Sequence, residues 1–142
     1  MSTATAEDAY EARLAAARAE FARFVGGLDR AGRVVVLHDS DADGVTAGVV
    51  LARALERAGF ADVARLAPDR ERNAWTEGNR GRVRALGPRA LFVLDLGSSA
   101  EPVVEGVPTC LIDHHRPDGV PPGALLLSGY GWEPTPNTSL LV

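Results

Sequence analysis

The 142-residue chain contains no lysine, and all 15 of its basic residues are arginine. That absence excludes a Walker-type phosphate loop, Schiff-base chemistry and a lysine general base, and it leaves any cationic work to guanidinium groups. Cysteine is nearly absent too. The single Cys110 can form neither an internal disulfide nor a cysteine-rich zinc site. Long apolar runs are missing: the longest, such as Ala90 to Leu94, hold about five residues where a bilayer span needs about 20. The opening stretch from Met1 to Asp8 lacks the basic segment of a secretory leader, so the chain reads as cytoplasmic. Positive charge is not in excess either. A net charge of -4 provides no global basic field, so contact with nucleic acid would need a local arginine patch.

What remains is ordinary globular composition, 46% hydrophobic and 24% charged, enough for one domain with a real core. Tyr10, Leu14, Ala17, Phe21, Phe24, Val25 and Leu28 recur at helical spacing, which predicts an amphipathic helix from Ala6 to Leu28, closed by Gly26 and Gly27. The β-branched run from Arg33 to His38 predicts a buried parallel strand, and Val45 to Ala58 a helix capped at Gly59. A weaker strand over Val63 to Leu66, a short arginine-rich helix over Glu77 to Leu86, and strands over Ala90 to Leu94, Thr109 to Ile112 and Ala124 to Leu127 follow. This alternation predicts an α/β fold, a doubly wound, mainly parallel sheet of about five strands with flanking helices. The partition expected is an N-terminal helix at residues 1–30 and the α/β domain at 31–142. Asn137 or Thr138 reads as the N-cap of a last helix with only Leu140, Leu141 and Val142 to build it, so the domain is expected to be cut short at its C-terminus.

Functional groups of an open α/β sheet collect at the carboxyl ends of its strands, and here those ends are acidic. The first strong strand runs into His38, Asp39, Ser40, Asp41, Ala42, Asp43 and Gly44; the next ends at Asp95, Leu96 and Gly97; the third at Asp113, His114, His115 and Arg116. Carboxylates crowded within about 4 to 6 Å raise one another's pKa unless a cation neutralises them. An oxygen-rich set with some imidazole suits manganese or magnesium, with zinc, iron and cobalt also admissible. Taken singly, Asp41 and Asp43 also fit a solvated loop or helix cap, Asp95 a turn, and His38 a hydrogen-bonded histidine at a strand end. Asp113, His114 and His115 are the strongest local signal. They place two of the three histidines beside a carboxylate after a buried strand.

In their order, Asp41-Ala42-Asp43-Gly44, then Asp95 with Gly97, then Asp113-His114-His115, these residues resemble motifs one to three of the DHH phosphoesterase superfamily, which includes RecJ-type exonucleases, oligonucleotide and cyclic-dinucleotide phosphodiesterases, exopolyphosphatases and family II pyrophosphatases. The resemblance runs from about Arg33 to the end and covers the N-terminal part of a DHH domain. It implies that Asp41 and Asp43 bind metal, that Asp95 bridges two metals, that His114 is a ligand and that Asp113 is a ligand or orients one. His115 would meet the substrate phosphate. Members with a histidine ahead of motif one space it one residue further than His38, whereas Asp39 fills the position of an aspartate found in RecJ-like members, so Asp39 ranks above His38 as a ligand. A fourth acidic motif and a C-terminal substrate domain, both family features, do not follow in the 142 residues.

The resemblance implies hydrolysis of a phosphodiester or phosphoanhydride by water, with two manganese ions, magnesium or cobalt being alternatives. The substrate would be single-stranded nucleic acid, a nucleotide or another phosphate compound, and no membrane is involved. Arg116 would hold a phosphate oxygen or lie solvated; the amides of Gly44, Val45 and Thr46, and Thr138 with Ser139, would cradle others at helix starts. Arg70, Arg72, Arg80, Arg82 and Arg84 read as an exposed charged face, with a nucleic-acid track as the alternative. Trp75 and Trp132 read as packing residues rather than base-stacking platforms. A rival class is a non-catalytic scaffold or binding module, or an inactive fragment of a longer enzyme. A Toprim-like or phosphotransfer acidic site is a third, which leaves the paired histidines unexplained.

Overall fold

The computed structural model describes residues 5–142. Residues 1–4, where the stretch read for a leader begins, lie outside the described residues. Nine elements follow one another among the described residues: α1 Ala6–Gly26, β1 Val34–His38, α2 Ala42–Arg57, β2 Val63–Leu66, α3 Glu77–Ala85, β3 Ala90–Leu94, β4 Thr109–Asp113, β5 Leu125–Ser128 and α4 Thr138–Leu141. All five strands run parallel in one sheet, ordered β2-β1-β3-β4-β5. This is the α/β architecture expected, with the sheet parallel throughout.

The central strands β1, β3 and β4 are buried at every position because both faces of the sheet are covered. Side chains alternate across a strand, so Val34 and Val36 with Phe92, Leu94, Cys110 and Ile112 pack on one side under α1 and α2. Val35 and Leu37 with Leu91, Val93 and Leu111 pack on the other, against Ala74, Val83 and Val103. α1 docks through aromatics: the Phe24 ring meets Phe92 edge-on at 5.6 Å, and Phe21 lies 6.1 Å from the same ring. Trp132 stacks edge-on with Tyr10 at 5.3 Å, and the Trp75 indole donates to the Glu101 carbonyl at 2.8 Å, so both tryptophans are engaged in packing. Among the described residues no helix is long and apolar enough to cross a membrane.

Strand order reverses direction between β1 and β3, because the chain steps to one side of β1 for β2 and returns to its other side for β3. At such a switch point the loops leaving the two strands diverge and open a crevice at their carboxyl ends. The register holds those ends level. His38 pairs with Leu94 and Leu94 with Ile112, the Asp39 amide donates to the Leu94 carbonyl at 3.1 Å, and the Asp95 amide donates to Ile112 at 3.0 Å. Asp39, Asp95 and Asp113 therefore leave the sheet side by side.

The helix after β1 begins at Ala42, three residues earlier than its apolar periodicity predicts. Asp41 is its N-cap, with Oδ1 accepting from the Gly44 amide at 2.8 Å. Packing explains how a glycine sits in this first turn. A Cβ on Gly44 would stand 2.4 Å from the Asp39 carbonyl oxygen, so α2 comes this close to the β1 exit only without a side chain there.

Candidate metal centre

Two groups of potential ligands converge at the crevice, and Asp95 belongs to both. Ligand atoms of Asp39, Asp41 and Asp95 lie within 4.8 Å of one another, as do those of Asp95, Asp113, His114 and His115. Asp95 is 3% exposed and sits at a backbone φ of 62°, a left-handed conformation that costs a non-glycine residue about 1 kcal/mol. Its Oδ1 accepts from the Thr138 hydroxyl at 3.0 Å and lies 3.2 Å from Nε2 of His114. Burial, reinforced by the charges of Asp43 and Asp41, outweighs the Thr138 hydrogen bond and pushes the Asp95 carboxyl up to about 7. A carboxylate in this state favours an added cation.

Asp43 joins the cluster from the first turn of α2, 3.7 Å from His114 Nε2. Its carboxylate is clamped from the far end of the chain, by the Thr138 amide at 3.0 Å, the Ser139 amide at 2.8 Å and the Ser139 hydroxyl. Burial acts to raise the Asp43 carboxyl, but the Ser139 and Thr138 donors and His114 outweigh it, so it lies below the usual carboxylate range. The start of α4 is thus occupied by an internal anion. Thr138 and Ser139, the residues expected to cradle substrate, here donate to Asp43 and Asp95. The amides expected to do so at α2 are also committed, Gly44 to the Asp41 side chain and Val45 to the Asp41 carbonyl, while the Thr46 hydroxyl donates to Ala42.

His38 points elsewhere. Its Nδ1 donates to the Asp39 carbonyl at 2.8 Å and its ring rests on Gly48, where a Cβ would come within 2.3 Å of Cδ2. The structure therefore brings Asp39, not His38, into the cluster. Asp113 directs both carboxylate oxygens at His115, Oδ1 taking Nδ1–H at 2.7 Å and Oδ2 the backbone amide at 3.3 Å. The tautomer this imposes leaves Nε2 as the imidazole's free nitrogen. Burial acts to lower the His115 pKa, and the Asp113 bond together with the charges of Asp113, Asp95 and Asp39 reverses that, so it ends above its ordinary value. Arg116 is exposed and has no hydrogen bond or ion pair among the described residues.

Arg72 is the residue that sequence reasoning assigned to the wrong environment. Instead of lying on a charged face it forks onto Asp39, Nε to Oδ1 at 2.9 Å and Nη2 to Oδ2 at 2.6 Å, and reaches Asp41 Oδ2 at 3.3 Å. Burial pushes the Asp39 carboxyl up, but Arg72 and the Ser40 amide outweigh it and hold it below the usual range. Of the other arginines there, Arg84 pairs with Glu77 and Arg82 donates to the Ala67 carbonyl from exposed positions, while Arg80 pairs with Glu101 from a half-buried one. The available signal was chemical rather than positional, since an acidic crevice in a lysine-free chain calls for an arginine.

Known proteins share the sequence family and the fold of this chain. A family model described as "DHH family, N-terminal domain" matches residues 33–130. A crystal structure of exonuclease RecJ bound to manganese is 26% identical with a TM-score of 0.67, over 87% of this chain and 34% of that one. RecJ from Thermus thermophilus in complex with Mn2+ is 25% identical with a TM-score of 0.65, over 87% of this chain and 19% of that one. The chain thus spans about a third or less of the length of these structures. No curated protein matches it.

Proposed function

The chain belongs to the DHH family, and on that premise we propose that it is a metal-dependent phosphoesterase module that hydrolyses a phosphodiester or phosphoanhydride, in the manner of a RecJ-like exonuclease or a nucleotide phosphodiesterase. The observation that carries the reading is the convergence of two ligand groups on the shared, buried Asp95. The donor set fits manganese or magnesium, being carboxylate-rich and hard, with imidazole beside it. Asp39, Asp41 and Asp95 would hold one ion, and Asp95 with His114 and Asp43 a second. When bound, such a pair supplies an activated water and a positive clamp on the phosphoryl oxygens.

The chain's own residues would do the rest. Asp113 holds His115 through Nδ1 and leaves Nε2 free, and the raised proton affinity of that imidazole suits it to donate to a phosphoryl oxygen. Thr138 and Ser139 keep the Asp43 carboxylate ionised and oriented, and the Thr138 hydroxyl holds Asp95. Incubating the chain with manganese and, separately, a 5'-labelled single-stranded oligonucleotide, a dinucleotide and a polyphosphate tests the reading. Because the family's fourth acidic motif and substrate domain are not among these 142 residues, hydrolysis is expected to be weak, dependent on manganese, and lost in Asp95→Asn and in His115→Ala. Hydrolysis that persists in both variants would overturn it.

A further inference from the structure

Arg72 occupies the place in the crevice where a metal ion's charge would fall. Asp39 has a 9% exposed side chain, and its two oxygens are matched to the planar fork of Arg72, whose third contact is Asp41. Bidentate pairing of this kind fixes geometry as well as neutralising charge. The segment delivering it is held in place by hydrogen bonds of its own. Arg72 lies between β2 and α3 at a φ of 51°, a left-handed conformation that bulky residues adopt only when their surroundings impose it. Those surroundings are the fully buried Asn79, which accepts from the Asp69 amide and donates to the Asp69 carboxylate and the Asn73 carbonyl, and the Arg72 amide itself, which donates to Asp69.

We propose that Arg72 is a tethered counter-cation of the Asp39–Asp41 pair that a divalent ion must displace on entering, so that metal binding and release of the guanidinium are one exchange. The proposal rests on the metal-centre reading above and adds a competitor within the chain. A divalent ion and a guanidinium cannot share the same carboxylate oxygens at close range without repulsion, and the ion carries twice the charge. The side chain is half exposed, so it can swing away without unpacking the core. It would remain in the crevice, whose wall also includes Asp95, Leu96, Gly97 and His115. Without metal the exchange partner prevents the Asp39 and Asp41 carboxylates from repelling each other.

Calorimetric titration of manganese into the chain and into Arg72→Gln tests this, with melting temperatures measured on the same samples. Removing a competing cation should tighten manganese binding roughly tenfold or more, lower the metal-free melting temperature, and let the two proteins converge at saturating manganese. Arg72→Lys, which keeps the charge and loses the fork, should fall between them. Equal or weaker manganese affinity in Arg72→Gln, with the same loss of melting temperature in the presence and absence of metal, would show a purely structural arginine and overturn the exchange. Absence of manganese binding in all three proteins would instead overturn the metal-centre reading, and the exchange with it.

Discussion

Replacing Asp95 with asparagine should stabilise the metal-free chain, although it removes the residue on which the site converges. A buried carboxyl pushed up to about 7 favours the folded state while protonated, below the unfolded value near 4, and loses that contribution as pH rises through 7. Relative to the fully protonated protein, this shift removes about 4 kcal/mol of folding stability at pH 8 and about 2 kcal/mol at pH 5. Asparagine carries no charge and retains an oxygen for the Thr138 hydroxyl, which donates to Oδ1 at 3.0 Å. At roughly 2 to 4 °C per kcal/mol for a domain of this size, Asp95→Asn should melt about 10 °C above the parent at pH 8 without metal, with a smaller gap at pH 5. Saturating manganese should reverse the order, since only the parent gains by mass action. Differential scanning calorimetry at the two pH values, with and without manganese, reads all four states. A variant less stable than the parent at pH 8 without metal would refute the idea that the fold holds this carboxylate at a cost.

Manganese binding should release protons, because Asp95 must ionise to act as a ligand; below pH 7 affinity should fall by about tenfold per pH unit and above it level off. Calorimetric titrations from pH 5.5 to 8.5 check this, and a profile flat across that range would contradict it. Gly48→Ala should destabilise the chain by about 1 to 3 kcal/mol in chemical denaturation, because the new Cβ would stand 2.3 Å from the His38 ring in a filled interior. Unchanged stability would mean that His38 has room to move toward the crevice.

Strands and ligand-bearing loops were legible because both depend on local pattern. Each of the three buried central strands ends in or runs at once into its acidic residues, and in a parallel sheet the strand ends share an edge. The early start of α2 was hidden by Gly44, which reads as a helix breaker but serves as a contact point beneath the Asp39 carbonyl. Long-range pairing was not legible at all. Asp39 and Arg72 stand 33 positions apart, and Asp43 and Ser139 stand 96 apart, with no periodicity linking them. Thr138 and Ser139 were recognised as anion-binding donors, but composition could not distinguish a substrate phosphate from an internal carboxylate. His38 beside Asp39 shows the limit from the other side, since adjacent residues at a strand end point to opposite faces.

The central claim is that the strand-end cluster is a divalent-cation centre organised around Asp95, and locating the ions tests it most directly. An anomalous-difference map from crystals of the chain grown with manganese should show its strongest peaks in coordination contact with Asp95, one beside Asp39 and Asp41 and one beside His114. Peaks confined to exposed carboxylates elsewhere, with Arg72 still forked onto Asp39 and no density at Asp95, would contradict the account.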